Sequence, residues 1–407
     1  MAQPCWVGAL WVTLLAQTVA SFLVQTLPAI GPLMTVESGL RPETIGNLAS
    51  ITALGTVLFL LAGGDVLARF GPVRTLQIGA LVLAFAALLA AEGSVWALGL
   101  AALLIGIGYA PAAPAGSQIL AETAPREHRT LIFSVKQAGA PLGGMFAGLL
   151  CAPVAAWLGW RAALLLGGLL AVATMLAIQP QRVALDQPGA VRPPPPRRGV
   201  WPMLAGPLAA LRLNPRLPPL VLLATALSTT QGCLFAFSVT WLVTDRGFGL
   251  VEAGGVFAAM QGAGVVARLA LGWLADRTGR PARNVVIQGI AAALCLALFV
   301  TGALGTGPLA VTLMAAATGA LAASWNGIIM SEVAGLVPHD KVGEATAGCT
   351  LVIFLGYLVG PSAFAGLIAL SGSWTFAFLC VAAQLALVAL MVALALLRLG
   401  RTDALGR

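Results

Sequence analysis

The chain has 407 residues, of which 59% are hydrophobic and only 9% are charged. Soluble globular proteins carry about a quarter charged residues, so this composition excludes an ordinary soluble domain. The net charge of +8 does not indicate a nucleic-acid-binding protein, because the basic residues do not form one cluster but separate apolar stretches.

The first part of the chain contains six apolar stretches, numbered here as spans 1 to 6. They cover residues 6–34, 45–67, 76–91, 95–120, 130–157 and 159–178. A membrane-crossing helix needs about 20 apolar residues, so each stretch predicts a transmembrane helix. Span 1 contains Gln17, Gln25 and two prolines, which predicts a bent helix with one polar face. Span 4 is interrupted by glycines and prolines, which is typical of a helix that lines a cavity.

Residues 180–219 break this pattern with eleven prolines, including a run at 193–196 that is followed by Arg197 and Arg198. Such a segment predicts an extended cytoplasmic linker and not a further span. Within it, residues 201–213 are predicted to lie along the membrane surface as an amphipathic segment.

Six more apolar stretches follow the linker. Spans 7 to 12 cover residues 220–243, 252–275, 285–303, 309–333, 345–370 and 374–397. The chain therefore divides into a first group of six spans (1–179), the linker (180–219), a second group of six spans (220–398) and a cytoplasmic tail (399–407). The predicted fold class is an all-α membrane protein with about twelve transmembrane helices.

A basic turn follows span 8. Gly272, Asp276, Arg277, Gly279 and Arg280 form the pattern Gly-x-x-x-Asp-Arg-x-Gly-Arg. Small residues let a neighbouring helix approach closely, and an aspartate where a helix leaves the membrane can pair with a cation or cap another helix.

A degraded copy of this turn follows span 2, with Ala68 in the place of the aspartate. Three of its residues lie 208 positions before their counterparts, namely Gly64 before Gly272, Arg69 before Arg277 and Gly71 before Gly279. A constant offset of about half the chain length is how transporters with internal repeats are built. The alternative is two chance basic turns.

The turn pattern and its repeat resemble the loop signature of the major facilitator superfamily. The resemblance implies two pseudo-symmetric six-helix bundles that expose a central site alternately to the two sides of the membrane. It also implies that the two turns form a conformational latch on the cytoplasmic side, made of Gly64, Arg69, Gly71, Gly272, Asp276, Arg277, Gly279 and Arg280. Span 5 loosely resembles the family's Gly-Pro-x-x-Gly-Gly motif. We expect helix packing and bending from Pro141, Gly143, Gly144, Gly360 and Pro361.

The lysines and arginines indicate the orientation in the membrane. Seventeen of the 22 lie in alternate loops and the tail, three (Arg41, Arg161 and Arg246) lie in the opposite loops, and two lie inside spans. This asymmetry places both termini in the cytoplasm. The excess of arginine over lysine is typical of a GC-rich bacterium, and so of its inner membrane. The first residues carry no basic side chain, so we expect no cleaved signal peptide.

Lys136 and Arg268 are the two cations inside spans. Charge within a membrane costs about 2.5–3.5 kcal/mol on insertion scales, so a functional role is the first hypothesis. Lys136 lies about 9 Å and Arg268 about 12 Å along the helix from the cytoplasmic end of the span, and no acidic residue lies at that depth. We hypothesise that a small anion binds between them. The alternative is that either side chain reaches back to the interface.

The pattern Arg-x-x-x-Gly-x-x-x-Asp, which begins at Arg268, resembles the monocarboxylate and oxalate:formate branch of the superfamily. This resemblance implies that Arg268 contacts a substrate carboxylate. The chain departs from that branch because Gly264 replaces an acid on span 8, span 1 has no lysine, and span 11 lacks the oxalate carrier's lysine. Lys136 could substitute for the missing lysine, and coupling to protons or to a counter-anion stays open.

The other candidate residues are polar or aromatic side chains within spans. Each has a second interpretation, because these groups also form helix–helix hydrogen bonds. The predicted substrate-binding residues are Arg268, Lys136, Tyr109, Tyr357, Gln25, Gln137, Gln261 and Asn326, and Gln231 and Trp325 are further cavity candidates. The six cysteines and two histidines predict neither disulfides nor a metal site, and no cofactor is predicted.

The sequence therefore predicts a secondary active transporter, not an enzyme, that moves a small organic anion. We expect the partners to be that substrate and the lipid bilayer, with no nucleic acid, and we expect a monomer. A drug or metabolite exporter of the same fold is the closest alternative, although span 4 lacks the arginine that such antiporters commonly carry. A membrane sensor or a lipid-modifying enzyme is the alternative from another class, and no output domain or nucleophile–base pair supports it.

Overall fold

The computed structural model describes residues 6–186 and 200–405, and every regular element in those ranges is helical. Twelve helices of the described chain are long and apolar enough to cross a membrane. The predicted all-α fold with about twelve spans is therefore confirmed.

The observed spans lie close to the predicted ones. Spans 1 to 6 are Trp6–Glu37, Thr44–Ala62, Pro72–Ala90, Val95–Thr123, Leu131–Leu158 and Trp160–Leu185. Spans 7 to 12 are Leu217–Thr244, Leu250–Thr278, Pro281–Thr301, Pro308–Gly335, His339–Ser371 and Trp374–Leu399. Two shorter helices, Gly64–Phe70 and Val200–Ala210, lie between spans.

The predicted end of span 2 at residue 67 is wrong. The helix ends at Ala62, and after Gly63 a separate helix covers Gly64–Phe70. Helix Gly64–Phe70 carries Asp65 and Arg69 and buries no residue, so it is not a continuation of the apolar span. Span 3 begins four residues earlier than predicted, at Pro72, since a proline at the first helical position has no amide hydrogen to lose.

The described residues form two compact units. The first comprises Met1–Arg197 together with Ala236–Ala258, and the second comprises Arg198–Phe235 together with Ala259–Arg407. In the first unit, Trp160 and Leu23 are fully buried in an apolar cluster. In the second unit, the corresponding cluster contains Trp325 and Leu227, also fully buried. The division at 179, 219 and 398 made from the sequence stays a prediction.

The linker ends in a helix that packs within the second unit. Helix Val200–Ala210 contacts span 11 at Gly348, where an added Cβ would collide with the carbonyl of Pro207. Only glycine therefore allows this close approach. The surface position predicted for residues 201–213 stays a prediction, and the proline run at 193–196 with Arg197 and Arg198 lies outside the described residues.

Asp186 joins the end of span 6 to the start of span 3. Its Oδ1 accepts a hydrogen bond from the Val73 amide at 2.7 Å, and its Oδ2 accepts one from the Arg74 amide at 3.0 Å. The carboxylate thus caps the first turn of span 3, where the helix dipole favours negative charge. Burial raises the pKa of Asp186, while these two amides and the nearby Arg182 oppose that increase.

Candidate functional site

Spans 4 and 10 are each interrupted. Span 4 consists of helices Val95–Tyr109 and Ala112–Thr123, and span 10 consists of helices Pro308–Ala322 and Asn326–Gly335. A break inside a span leaves backbone groups without helical partners, so such breaks are tolerated where protein or a cavity satisfies them. Discontinuous helices of this kind hold the substrate in many transporters.

Arg268 on span 8 binds the break of span 10. Its Nη2 donates a hydrogen bond to the Ala323 carbonyl at 2.9 Å. Ala323 is the cap that follows helix Pro308–Ala322, so the cation lies at the negative end of that helix dipole. Arg268 is half-buried. The contact is with a backbone carbonyl, which is an uncharged acceptor.

Gln231 on span 7 binds the same break from another side. Its Oε1 accepts hydrogen bonds from the Trp325 indole Nε1 at 3.1 Å and from the Tyr357 hydroxyl at 2.9 Å. Trp325 is fully buried and immediately precedes helix Asn326–Gly335. The Gln231 amide therefore joins Tyr357 of span 11 to the broken segment of span 10.

Gln288 on span 9 makes the third contact to this segment. Its Nε2 donates to the Leu321 carbonyl at 2.7 Å and to the Ser324 hydroxyl at 3.0 Å. Side chains from three neighbouring spans thus hold residues 321–325. The segment is therefore tied to spans 7, 8 and 9 by side-chain hydrogen bonds.

Lys136 is the buried cation of the first unit. Its side chain is 1% exposed and lies beside Gly116, where an added Cβ would be 2.8 Å from Cε and 3.4 Å from Nζ. Thr13 of span 1 lies at the same place. Among the described residues, the Lys136 ammonium has no hydrogen bond or ion pair. Gly116 follows the break of span 4, so in both units a cation lies beside a discontinuous span.

Tyr109 ends the first helix of span 4 and is half-buried. The Nε2 atom of Gln17 on span 1 lies 3.5 Å from its hydroxyl, at the limit of a hydrogen bond. Gln17 also packs against span 5, since its Cβ lies 3.1 Å from the position of a Cβ on Gly139. A polar contact between spans 1 and 4 therefore lies next to span 5, one helical turn from Lys136.

The remaining predicted substrate residues have varied surroundings. Gln261 on span 8 is 1% exposed, and neither of its amide atoms has a hydrogen-bond partner in the described chain. Asn326 begins the second helix of span 10 and is half-buried. Gln25 is half-buried on span 1, and Gln137 is exposed on span 5. The structure thus brings Arg268, Tyr357 and Asn326 to one segment, and Lys136 and Tyr109 to another.

The two turns predicted as a latch share one backbone feature. Gly71 has a φ of +83° and Gly279 a φ of +60°, a region that glycine adopts far more readily than other residues. The two glycines are 208 positions apart, so the repeat seen in the sequence has a conformational reason. Arg69 and Arg280 are exposed, and Arg277 lies over the Trp273 ring at 5.2 Å.

Gly64 and Gly272 show a second shared feature of the turns. A Cβ added at either glycine would meet no described atom within 4 Å. Asp276 is exposed and forms no ion pair with a described residue. Packing in this structure therefore does not explain why the two positions are glycine.

The predicted packing residues lie where helices approach closely. A Cβ on Gly143 would be 2.6 Å from the Phe22 amide of span 1, and a Cβ on Gly360 would be 2.9 Å from the Thr229 methyl of span 7. Pro141 and Pro361 lie inside helices of spans 5 and 11, and Gly144 is buried. A π-helical turn, Ala147–Cys151, follows the first of these prolines.

The roles of Gln17, Gly116 and Asp186 were not predictable from the sequence. The sequence showed Gln17 as a polar residue of span 1, but it did not show that Gln17 contacts Tyr109. Gly116 and Asp186 have no distinctive sequence pattern, because their roles depend on distant partners. Lys136 lies 20 positions after Gly116, and Val73 lies 113 positions before Asp186. No group of three or more metal-binding side chains lies in the described chain.

Comparisons with known proteins identify the family. A family model described as Major Facilitator Superfamily matches residues 12–335. Two uncharacterised MFS-type transporters of Mycobacterium tuberculosis are 27% identical over 310 residues, which are 73% of this chain and 65% of theirs. The chain therefore spans about two thirds of the length of these relatives.

Two further relatives match over shorter segments. The gallate transporter of Pseudomonas putida is 28% identical over 155 residues, which are 38% of this chain and 34% of that protein. The 4-hydroxybenzoate transporter PcaK of Pseudomonas aeruginosa is 32% identical over 144 residues, which are 35% of this chain and 32% of that protein. These matches do not confirm the narrower resemblance to the monocarboxylate and oxalate:formate branch.

Solved structures share the fold. The nucleoside transporter NupG has a TM-score of 0.74 at 18% identity, covering 96% of this chain and 99% of its own. The peptide transporter POT in complex with sulfate has a TM-score of 0.75 at 16% identity, covering 97% and 95%. Because the family model covers most of the twelve-span chain, the protein belongs to the Major Facilitator Superfamily.

Proposed function

We propose that the protein is a secondary transporter that moves a small organic carboxylate across the membrane by alternating access. The observation that carries this proposal is Lys136, whose ammonium is almost fully buried in the first unit without a described partner. An unpaired buried charge costs several kcal/mol. An anionic ligand would offset that cost, which gives the lysine a reason to be there.

Arg268 supports the same ligand class from the second unit. Its guanidinium donates a hydrogen bond to the Ala323 carbonyl at the break of span 10. A planar guanidinium suits the two oxygens of a carboxylate. Each unit therefore supplies a cation beside its discontinuous span, as expected of an anion carrier with internal repeats.

The two Pseudomonas relatives support a carboxylate as the cargo. Their names state that they transport gallate and 4-hydroxybenzoate, and both compounds are aromatic carboxylates. Each match covers about a third of this chain. We propose by analogy that the cargo of this protein belongs to the same chemical class.

The two basic turns complete the proposed transport cycle. Gly64 and Gly272 face open space here, so we propose that their lack of a side chain serves a close approach in another state of the cycle. Asp276, Arg277 and Arg280 would pair in that state and separate when the cytoplasmic side opens. Both termini are proposed to be cytoplasmic, in a bacterial inner membrane.

The proposed carrier works as a monomer without a cofactor. The charge of the anion is balanced either by a proton or by a counter-anion moving in the opposite direction. Two uptake experiments distinguish proton coupling from anion exchange. An inward proton gradient should accelerate uptake only under proton coupling, and an internal pool of unlabelled substrate should accelerate it only under exchange.

Uptake by purified protein in proteoliposomes tests the proposal. Labelled 4-hydroxybenzoate should enter, and its neutral amide analogue should not compete. Lys136→Gln and Arg268→Gln should each lower uptake about 10- to 100-fold, since a hydrogen bond to a charged group contributes about 1.5–3 kcal/mol.

Lys341→Gln is the matched control, because Lys341 is exposed and pairs with Glu344 at 3.2 Å. It should leave uptake unchanged. Near wild-type uptake in both Lys136→Gln and Arg268→Gln would refute the proposed site, and equal transport of the neutral amide would refute the anionic cargo.

A further inference from the structure

The orientation of the Gln231 amide is determined by its neighbours. An indole N–H is a hydrogen-bond donor only, so the amide atom that faces Trp325 Nε1 at 3.1 Å must be the oxygen. The Tyr357 hydroxyl donates to the same oxygen at 2.9 Å. Both lone pairs of Oε1 are therefore used, and rotating the amide would replace the Trp325 contact with two N–H donors that face each other.

The Gln231 Nε2 group consequently faces away from Trp325 and Tyr357. It carries two N–H donors, and no hydrogen bond from it to a described residue exists. The side chain is half-buried, so these donors are partly removed from bulk water. A partly buried donor without a partner is costly, and a ligand oxygen would satisfy it.

The Gln231 oxygen lies among aromatic side chains, and the broken segment that it contacts also binds a cation. Tyr357 packs against Phe354 with ring centroids 5.7 Å apart. On the facing helix, Gly232 leaves room for the Tyr357 ring, since an added Cβ would be 3.2 Å from its Cδ1. Arg268 binds the broken segment at Ala323, two residues before Trp325. An anion-attracting group and a fixed amide donor are thus attached to one short segment of the second unit.

We infer that Gln231 is a specificity-determining residue that donates a hydrogen bond to a ring hydroxyl of the substrate, and that the cargo is a hydroxylated aromatic carboxylate. This inference rests on the proposed carboxylate transport and narrows its substrate class. The carboxylate is attracted to Arg268, the ring packs on aromatic side chains, and the hydroxyl oxygen accepts from Nε2. Tyr357 acts as a positioning residue, because its hydroxyl holds the amide.

The test compares uptake of 4-hydroxybenzoate and benzoate, which differ by the hydroxyl group alone. A site built to bind a hydroxyl discriminates strongly against the analogue without it, so the wild-type protein should prefer 4-hydroxybenzoate at least about tenfold. Gln231→Met keeps the length of the side chain and removes the donors. It should bring the preference to within about twofold of unity while benzoate uptake persists.

Two further variants complete the design. Tyr357→Phe keeps the ring and releases one contact of the amide, so it should lower the preference only in part. If Gln231→Met fails to fold, Tyr357→Phe alone still tests the role of the Gln231 amide. Gln77→Met is the matched control, because the described partners of the Gln77 amide are all protein groups, namely Arg74, the Met175 carbonyl and Gln179. It should change uptake of both acids equally.

The outcomes separate the inference from the proposed function. If neither acid enters the proteoliposomes, carboxylate transport itself is refuted. If both acids enter without preference, or if the preference survives in Gln231→Met and Tyr357→Phe, the role of Gln231 is refuted and carboxylate transport stands.

Discussion

Lys136 owes its position to a residue that has no side chain. Gly116 leaves the space that the end of the lysine occupies, and an added Cβ would lie 2.8 Å from Cε. The flexible end of a lysine can move away from such a contact. A substitution here should therefore displace the ammonium without disrupting the helix packing.

Gly116→Ala is predicted to weaken substrate binding while the protein stays folded. A misplacement of about 1 Å at a binding group can cost up to about 100-fold, so we expect KM for the carboxylate to rise about tenfold. The melting temperature should change little. Gly99→Ala in the same span is the control, since its Cβ would meet no described atom within 4 Å. An unchanged KM in Gly116→Ala would show that the position of Lys136 does not matter.

Single residues were predicted from the sequence with uneven success. Arg268 and Lys136 stood out because charge is rare in apolar spans. Both lie beside interrupted spans, where Arg268 donates to the Ala323 carbonyl and Lys136 lies against Gly116. Gln25 and Gln137 stood out for polarity alone, and in the structure Gln25 is half-buried and Gln137 is exposed. Gln231 was visible only as one amide among several. Its orientation depends on Trp325 and Tyr357, which are 94 and 126 residues away.

At the scale of helices, the cap on span 3 comes from a distant part of the chain. Asp186 satisfies two amides that the first turn of a helix leaves without partners. Gly71 permits this approach, because its added Cβ would lie 2.9 Å from Asp186 Oδ1. The end of span 6 is thereby held at the start of span 3.

Asp186→Ala is predicted to lower the melting temperature by a few degrees, because loss of a capping side chain costs about 1 kcal/mol. Asp186→Asn should lower the melting temperature less than Asp186→Ala does. Its amide oxygen still accepts one hydrogen bond, and burial, which raises the pKa of Asp186, no longer penalises a charge. Thermal unfolding in detergent measures both. Asp65→Ala, at an exposed acid of the same unit, is the control, and equal stability of Asp186→Ala and wild type would refute the cap.

Helix boundaries divide into those that a sequence can show and those that it cannot. The glycines and prolines of span 4 indicated its break. The break of span 10 at Ala323–Trp325 contains neither residue type, so the sequence did not indicate it. That break is stabilised by Arg268, Gln288 and Gln231 from other spans. Tertiary contacts, not local propensity, determine it.

At the scale of the whole molecule, the number of spans and the family followed from hydropathy and one repeated turn. Twelve apolar stretches are unmistakable because the membrane requires a minimum length for each. Which residues form each compact unit was not predictable, since the segment Ala236–Ala258 groups with the first part of the chain through contacts such as Gly254 with Gly148.

Gly272→Leu is predicted to abolish transport while leaving the melting temperature unchanged. The structure has open space at this position, so the new side chain meets no obstacle in this state. If the turn closes against another helix during the cycle, the leucine blocks that closure. Gly366→Leu is the control, because it also faces open space but lies outside the turn pattern. Transport by Gly272→Leu at the level of Gly366→Leu would refute the latch.

The two anchored ends of the interdomain connection have a practical consequence. Asp186 is fixed to span 3 by two hydrogen bonds, and helix Val200–Ala210 is fixed to span 11 at Gly348. Neither attachment uses a residue between 187 and 199. A fluorescent reporter or an affinity epitope inserted there would leave both attachments intact, so this stretch is the natural place to label the protein for imaging and purification.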